Sequence, residues 1–122
     1  MKKRENSIEY MYYFNQTDNF VELIFDDNLD DLKYMFYKCF NITEINLSNF
    51  DTSKDIKMKN MFYKCTSLTS LDLSNFDGSN VNDTAYMFYS CPSLTSLDLS
   101  NFKTSKVTTM RSMFYNCSTL TS

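Results

Sequence analysis

The sequence predicts an α/β solenoid in which each 26-residue unit adds one short parallel β-strand and one short helix. Three observations predict it. The tripeptide Met-Phe-Tyr recurs at Met35-Phe36-Tyr37, Met61-Phe62-Tyr63, Met87-Phe88-Tyr89 and Met113-Phe114-Tyr115, each step 26 residues. A cysteine follows each time, at Cys39, Cys65, Cys91 and Cys117. Between them run EINLSNFDTSK, SLDLSNFDGSN and SLDLSNFKTSK, with no insertion.

One unit converts into structure as follows. Leu68-Thr-Ser-Leu71-Asp-Leu73-Ser-Asn-Phe76 reads L-x-x-L-x-L-x-x-F, a leucine-rich-repeat pattern. Its centre, Ser70 to Ser74, alternates polar and apolar, the period of a half-buried strand. A turn-rich stretch follows, Asp77-Gly78-Ser79-Asn80 here and Asp51-Thr52-Ser53-Lys54 one unit earlier. Val107, Met110, Phe114 and Cys117 then fall at i, i+3, i+7 and i+10, which predicts a helix with one apolar stripe. Ser53, Ser79 and Ser105 stand in the N-cap column. Pro92 after Cys91 cannot continue a helix, so each helix is expected to stop near its cysteine.

A single unit cannot bury its apolar side; stacking neighbours about 4.8 Å apart along a parallel sheet does. Equivalent residues then form ladders: Ile42/Leu68/Leu94/Leu120, Ile45/Leu71/Leu97, Leu47/Leu73/Leu99 and Phe50/Phe76/Phe102. The Phe ladder is expected to hold the turn, with Asn49, Asn75 and Asn101 assisting. Phe76→Ala is predicted to cost ~3–5 kcal/mol, and a thermal shift of only a degree or two would contradict that burial.

Residues 1–10 read as an N-terminal tail, 11–34 as a degenerate capping repeat, and 35–122 as three full repeats and a truncated fourth. The basic start Met1-Lys2-Lys3-Arg4 is followed by Glu5, Asn6, Ser7 and Glu9 rather than an apolar run, so no export signal is recognisable. On that reading the chain is cytoplasmic if complete, or a fragment of a longer product. The strand expected after Leu120 stops at Ser122, and an uncapped edge invites self-association.

Composition excludes several functions. A net charge of −3 and a pI near 4.8 argue against nucleic acid. The chain has no His, removing the commonest general base, and one Gly, too few for a phosphate-binding loop. No apolar run approaches the length of a membrane span. Catalysis and a cofactor are therefore not expected. Four evenly spaced cysteines form a line, not the tetrahedral convergence of a zinc site, and are expected as buried thiols acting as small hydrophobes.

Two surfaces remain as candidates. The sheet face carries the columns Glu44/Ser70/Ser96, Asn46/Asp72/Asp98 and Ser48/Ser74/Ser100. These short, mildly acidic side chains suit hydrogen bonding to a glycan or a basic protein segment, or form a solvated polar face. The column Tyr37/Tyr63/Tyr89/Tyr115 lies off the apolar stripe, where it either meets a partner or fills the seam between units. Lys54, Lys57, Lys59, Lys64, Lys103 and Lys106 read as a solvated rim.

The string MFYxCxSLTSLDLSNFDTSKVTxMxxMF, over roughly residues 28 to 122, resembles the BspA-like leucine-rich-repeat surface proteins of bacteria and some protists. Members of that family are typically exported and some are implicated in adhesion to host matrix, host cells or other microbes. The resemblance implies a cell-surface or extracellular binding module for a protein or glycan, with no catalytic residue to carry over. The alternatives are a structural spacer within a larger surface protein and a small intracellular interaction module.

Overall fold

The computed structural model describes residues 31–48, 54 and 56–122. The tail at 1–10, nearly all of the expected capping repeat, and Asn49, Phe50 and Ser53 lie outside the described residues.

Strand β1 (Glu44–Asn46) pairs in parallel with β3 (Ser70–Asp72), and β2 (Ile56–Lys57) with β4 (Val81–Asp83). The first pair aligns Glu44 with Ser70, Ile45 with Leu71 and Asn46 with Asp72, a 26-residue register that keeps like beside like. Period-2 alternation explains the burial: Ile45 and Leu71 turn inward while Glu44 and Ser70 stay exposed. The second ladder aligns Ile56 with Val81 and Lys57 with Asp83 across an irregularity, and bridges at Asp31–Lys57 and Asp83–Thr109 extend it both ways. Residues 96–98, the third rung of the sheet column, join neither two-stranded sheet. Their segment bonds onward, Leu97 N to Ser122 O at 2.8 Å and Thr121 N to Thr95 O at 3.0 Å.

Where the apolar spacing predicts a helix, the described residues form turns, and the backbone shows why. In residues 32–39 the N–H groups alternate between two destinations. Those of Leu32, Tyr34, Phe36 and Lys38 donate to Lys57, Lys59, Met61 and Tyr63 of the next unit at 2.7–3.2 Å. Those of Met35, Tyr37 and Cys39 fold back three residues, to Leu32, Tyr34 and Phe36, at 3.0–3.2 Å. The Lys33 N–H goes to the Asp31 carboxylate at 3.0 Å, so every donor is used, but none in the i→i−4 manner of a helix. The same arrangement recurs from Met58 to Lys64 and from Thr84 to Ser90. Each Met-Phe-Tyr is bracketed by left-handed residues: Tyr34 and Lys38, Asn60 and Lys64, Tyr86 and Ser90, Ser112 and Asn116, with φ between 50° and 63°. Such residues cannot propagate a right-handed helix. The expected N-cap Ser79 sits inside a short 3-10 turn, Gly78–Asn80, that Asp77 caps by accepting the Ser79 N–H at 2.9 Å.

The apolar columns converge inward despite the missing helix. Leu32, Met35, Ile56, Met58, Met61, Leu68, Val81, Met87 and Leu94 are buried, and Leu97, Leu99, Val107 and Leu120 pack against them half-buried. The rings of Phe36, Phe62, Phe88 and Phe114 stack with centroids 5.4, 5.3 and 5.6 Å apart. Phe76 is buried and stacks on Phe102 at 6.0 Å. Gly78 lies beneath this pair: a Cβ there would stand 3.0 Å from the Phe102 ring and from the Lys103 nitrogen. Thr84, fully buried, satisfies its hydroxyl by donating to Thr109 O at 3.2 Å.

Side chains also join one unit to the next. Cys65, Cys91 and Cys117 donate their thiols to the carbonyls of Phe36, Phe62 and Phe88 at 3.0, 3.1 and 3.0 Å. Thr69, Thr108 and Thr121 donate hydroxyls to Thr43, Asn82 and Thr95 at 3.0, 2.9 and 3.3 Å. Thr69, Thr108 and Thr121 thus serve to join one unit to the next.

Candidate functional site

The sheet face is built by the β1–β3 pairing, which sets Glu44 beside Ser70 and Asn46 beside Asp72. Its central column is occupied locally. Asn46, Asp72 and Asp98 each accept the backbone N–H two residues on, from Ser48, Ser74 and Ser100, at 2.8, 2.9 and 2.8 Å. These bonds turn the chain as it leaves the sheet, in the manner of an Asx-turn. The Ser74 N–H and hydroxyl hold the Asp72 carboxyl below the usual carboxylate range, and Ser100 does the same for Asp98. The column shares that turn with the Phe ladder, whose Phe76 and Phe102 stack at 6.0 Å. Asn101 donates its amide to Ser74 O of the preceding unit. Glu44, Ser70 and Ser96 remain exposed. Beside them Ser74, Asn75, Asp77, Asn101 and Lys103 line a shallow polar cleft, spanned by a loose Asp77–Lys103 pair at 3.9 Å.

The tyrosine column is continuous. Tyr37, Tyr63, Tyr89 and Tyr115 stack nearly parallel, with centroids 5.0, 4.8 and 4.8 Å apart. The two end rings are exposed and the inner two half-buried. The spacing is that of strands in a sheet, because each ring is carried by a segment bonded to its neighbour. The expectations of a packed seam and of an exposed row thus meet in one feature: ring faces are packed and the outer side of the column is open. Tyr34 meets Tyr37 edge-on at 5.5 Å, and Tyr86 meets Tyr89 at 5.9 Å. Burial and the neighbouring tyrosines push the Tyr89 phenol above its ordinary pKa. Three cations rest against this array. Lys38 Nζ lies 5.1 Å from the Tyr37 centroid, Lys64 Nζ 5.6 Å from Tyr63, and Arg111 Cζ 5.8 Å from Tyr86. Sequence reasoning missed this pairing, although Lys38 and Lys64 each follow the tyrosine they cover.

All four cysteines are free thiols; Cys65 and Cys91 are buried, Cys39 and Cys117 half-buried. Burial pushes the Cys39 thiol up to about 11 and Cys91 to about 12, with Cys65 raised further for the same reason. A thiolate nucleophile is not stabilised at any of them. Among the described residues no cluster of acids and cysteines converges on a metal position, and no helix is long and apolar enough to cross a membrane.

The fold and its surfaces define a chain whose successive 26-residue segments pair in parallel and carry ordered side-chain columns on their outside. Residues 30–122 match the family described as DUF285, a Mycoplasma protein of unknown function, and the chain belongs to that family. No curated protein matches it, and no solved structure does.

Proposed function

We propose that this chain is a non-enzymatic binding module, a leucine-rich-repeat-type solenoid of the BspA-like kind, shown at the cell surface, where it adheres to a protein or glycan of a host or neighbouring cell. The observation that carries this reading is the tyrosine column, Tyr37 to Tyr115, with Lys38 and Lys64 resting on its rings and Arg111 on the adjoining Tyr86. Each ring is fixed by its neighbours before any ligand arrives, so little side-chain entropy remains to be lost on binding. The sheet face is the weaker surface, because Asp72 and Asp98 are committed to their own turns. A non-catalytic role fits the lack of His and the raised thiols.

Particles coated with the chain should adhere to host cells or matrix. Replacing all four column tyrosines by Phe keeps the stack and removes the hydroxyls; adhesion should fall several-fold with the melting temperature nearly unchanged. Glu44→Gln with Ser70→Ala and Ser96→Ala should leave adhesion intact. Adhesion that follows the sheet-face set instead would move the site, and no adhesion of the parent chain would end the proposal.

Self-association is a second reading, favoured by the exposed Met110, Phe114 and Tyr115. Sedimentation equilibrium should then show an oligomer that Met110→Lys with Phe114→Lys disperses; a monomer at all concentrations would exclude it.

A further inference from the structure

The sign of charge along the chain is not evenly spread. Although the protein carries a net charge of −3, the four double-turn segments read KYMFYK, KNMFYK, AYMFYS and RSMFYN. They hold five cations, Lys33, Lys38, Lys59, Lys64 and Arg111, and no carboxylate. The nearest acids stand at the entry to the segments. Asp31 pairs with Lys33 at 3.0 Å, and Asp83 accepts the Ala85 N–H at 2.9 Å. Lys38, Lys64 and Arg111 lie over tyrosine rings. The sheet columns carry the opposite sign through Glu44, Asp72 and Asp98.

We infer that the tyrosine–cation column binds an anionic polysaccharide, a sulfated or carboxylated glycan lying across the units, with Lys38, Lys64 and Arg111 meeting its anionic groups and the Tyr hydroxyls meeting its oxygens. This rests on the tyrosine column being the binding surface proposed above and names the chemistry of its ligand.

Three features of the column select a polysaccharide over other polyanions. The inner ring faces are occupied by one another at 4.8–5.0 Å, so a nucleic-acid base cannot stack between them. An acidic peptide docks most readily by adding a strand, which needs free main-chain groups. Here the N–H groups of Tyr34, Phe36 and Lys38, and those of Asn60, Phe62 and Lys64, are already spent between units. The column presents tyrosine hydroxyls and cationic side chains, the groups that a glycan's oxygens and anions accept from. An anionic membrane would be met by inserted apolar side chains. The inner positions of the column offer half-buried Tyr63 and Tyr89, and the large exposed apolar side chains Phe40, Met110 and Phe114 belong to the end units.

The test uses the full chain against fluorescent dextran sulfate, with neutral dextran, polyglutamate and anionic phospholipid vesicles as parallel arms, read by anisotropy or cosedimentation. Dextran sulfate should bind and should weaken steeply as salt rises, while neutral dextran should not bind. Lys38→Gln, Lys64→Gln and Arg111→Gln together should weaken dextran sulfate binding about tenfold or more, as expected for three partly exposed ionic contacts. Lys54→Gln with Lys106→Gln, equal in kind but outside the column, should change it little. Circular dichroism of both variants should match the parent. The inference is overturned if dextran sulfate fails to bind at low salt, if the column variant binds as the parent does, or if polyglutamate or vesicles bind more tightly. If chain-coated particles adhere to cells through the tyrosines yet dextran sulfate does not bind, the ligand class falls and the binding surface stands. If dextran sulfate binds but no cell does, the adhesive role falls instead.

Discussion

Phe62 offers the sharpest energetic test of how the units hold together. Its ring is fully buried and covered on both faces, by Phe36 at 5.4 Å and Phe88 at 5.3 Å. Truncation to Ala removes a buried aromatic and leaves a cavity between rings held by coil-to-coil hydrogen bonds, so collapse is restricted. Large-to-small core substitutions of this type cost ~3–5 kcal/mol, and each lost stacking contact adds ~0.5–1.5 kcal/mol beyond burial alone. Phe114 occupies the same column but is 40% exposed, with one ring neighbour at 5.6 Å. Its truncation should cost well under half as much, ~1–2 kcal/mol, by scaling the same burial and a single contact. Urea unfolding followed by near-ultraviolet absorbance and by circular dichroism gives both values, provided the two probes coincide. Equal losses for the two variants, or a loss below ~1 kcal/mol at Phe62, would refute the stacked column, since both follow only if the position is not covered on two sides.

Three further outcomes follow from the same geometry. Ser90 has φ 59° and donates its N–H to Tyr115 O at 2.7 Å; Ser90→Gly relieves the left-handed strain but gives up the hydroxyl that accepts from Asn116 at 2.9 Å, so it should shift stability by no more than ~1 kcal/mol, whereas Ser90→Pro should cost ~3 kcal/mol or more, in thermal melts. A Ser90→Pro loss below ~1 kcal/mol would contradict the bond to Tyr115. Asp72 and Asp98 have folded pKa values below the ordinary one, so their contribution is present above about pH 4 and is lost as pH falls through the lowered values. Asp72→Asn with Asp98→Asn keeps the acceptor that Asn46 already supplies, and should flatten the acid limb of a stability–pH curve; an unchanged limb would show that these turns do not sense pH. Cys65 and Cys91 should resist an aromatic disulfide reagent at pH 8 until the chain is unfolded, because burial holds them as thiols; rapid reaction in the native protein would contradict that burial.

The repeat made much of the molecule legible. A 26-residue period with no insertion sets which residues are neighbours, and the Ile45–Leu71 and Asn46–Asp72 register is what that period requires. Alternation at Ser70–Asp72 marked the strand correctly, because one face is buried and the other is not. The helix was not legible. Apolar residues at i, i+3, i+7 and i+10 line one side of a helix, but also one side of a chain that turns back every three residues. In this structure Val81, Thr84, Phe88 and Cys91, the same column positions, are all buried without a helix. Glycine would have betrayed the left-handed positions, but Tyr34, Lys38, Asn60 and Lys64 occupy them. Their strain is offset by the coil-to-coil hydrogen bonds that each such residue donates. The roles of Asn46, Asp72 and Asp98 were hidden for a related reason. An outward polar residue in a strand gives no sign in sequence that the N–H two residues on donates to it.

Cross-unit nuclear Overhauser effects on the isotopically labelled chain test the central claim most directly. The account predicts contacts between residues 25 or 26 apart, such as amide Phe62 to the Met87–Phe88 backbone and ring Phe62 to rings Phe36 and Phe88. It also predicts the absence of the i to i+4 contacts of a helix from Met58 to Cys65. A run of helical contacts there, or no contact between residues one repeat apart, would contradict it.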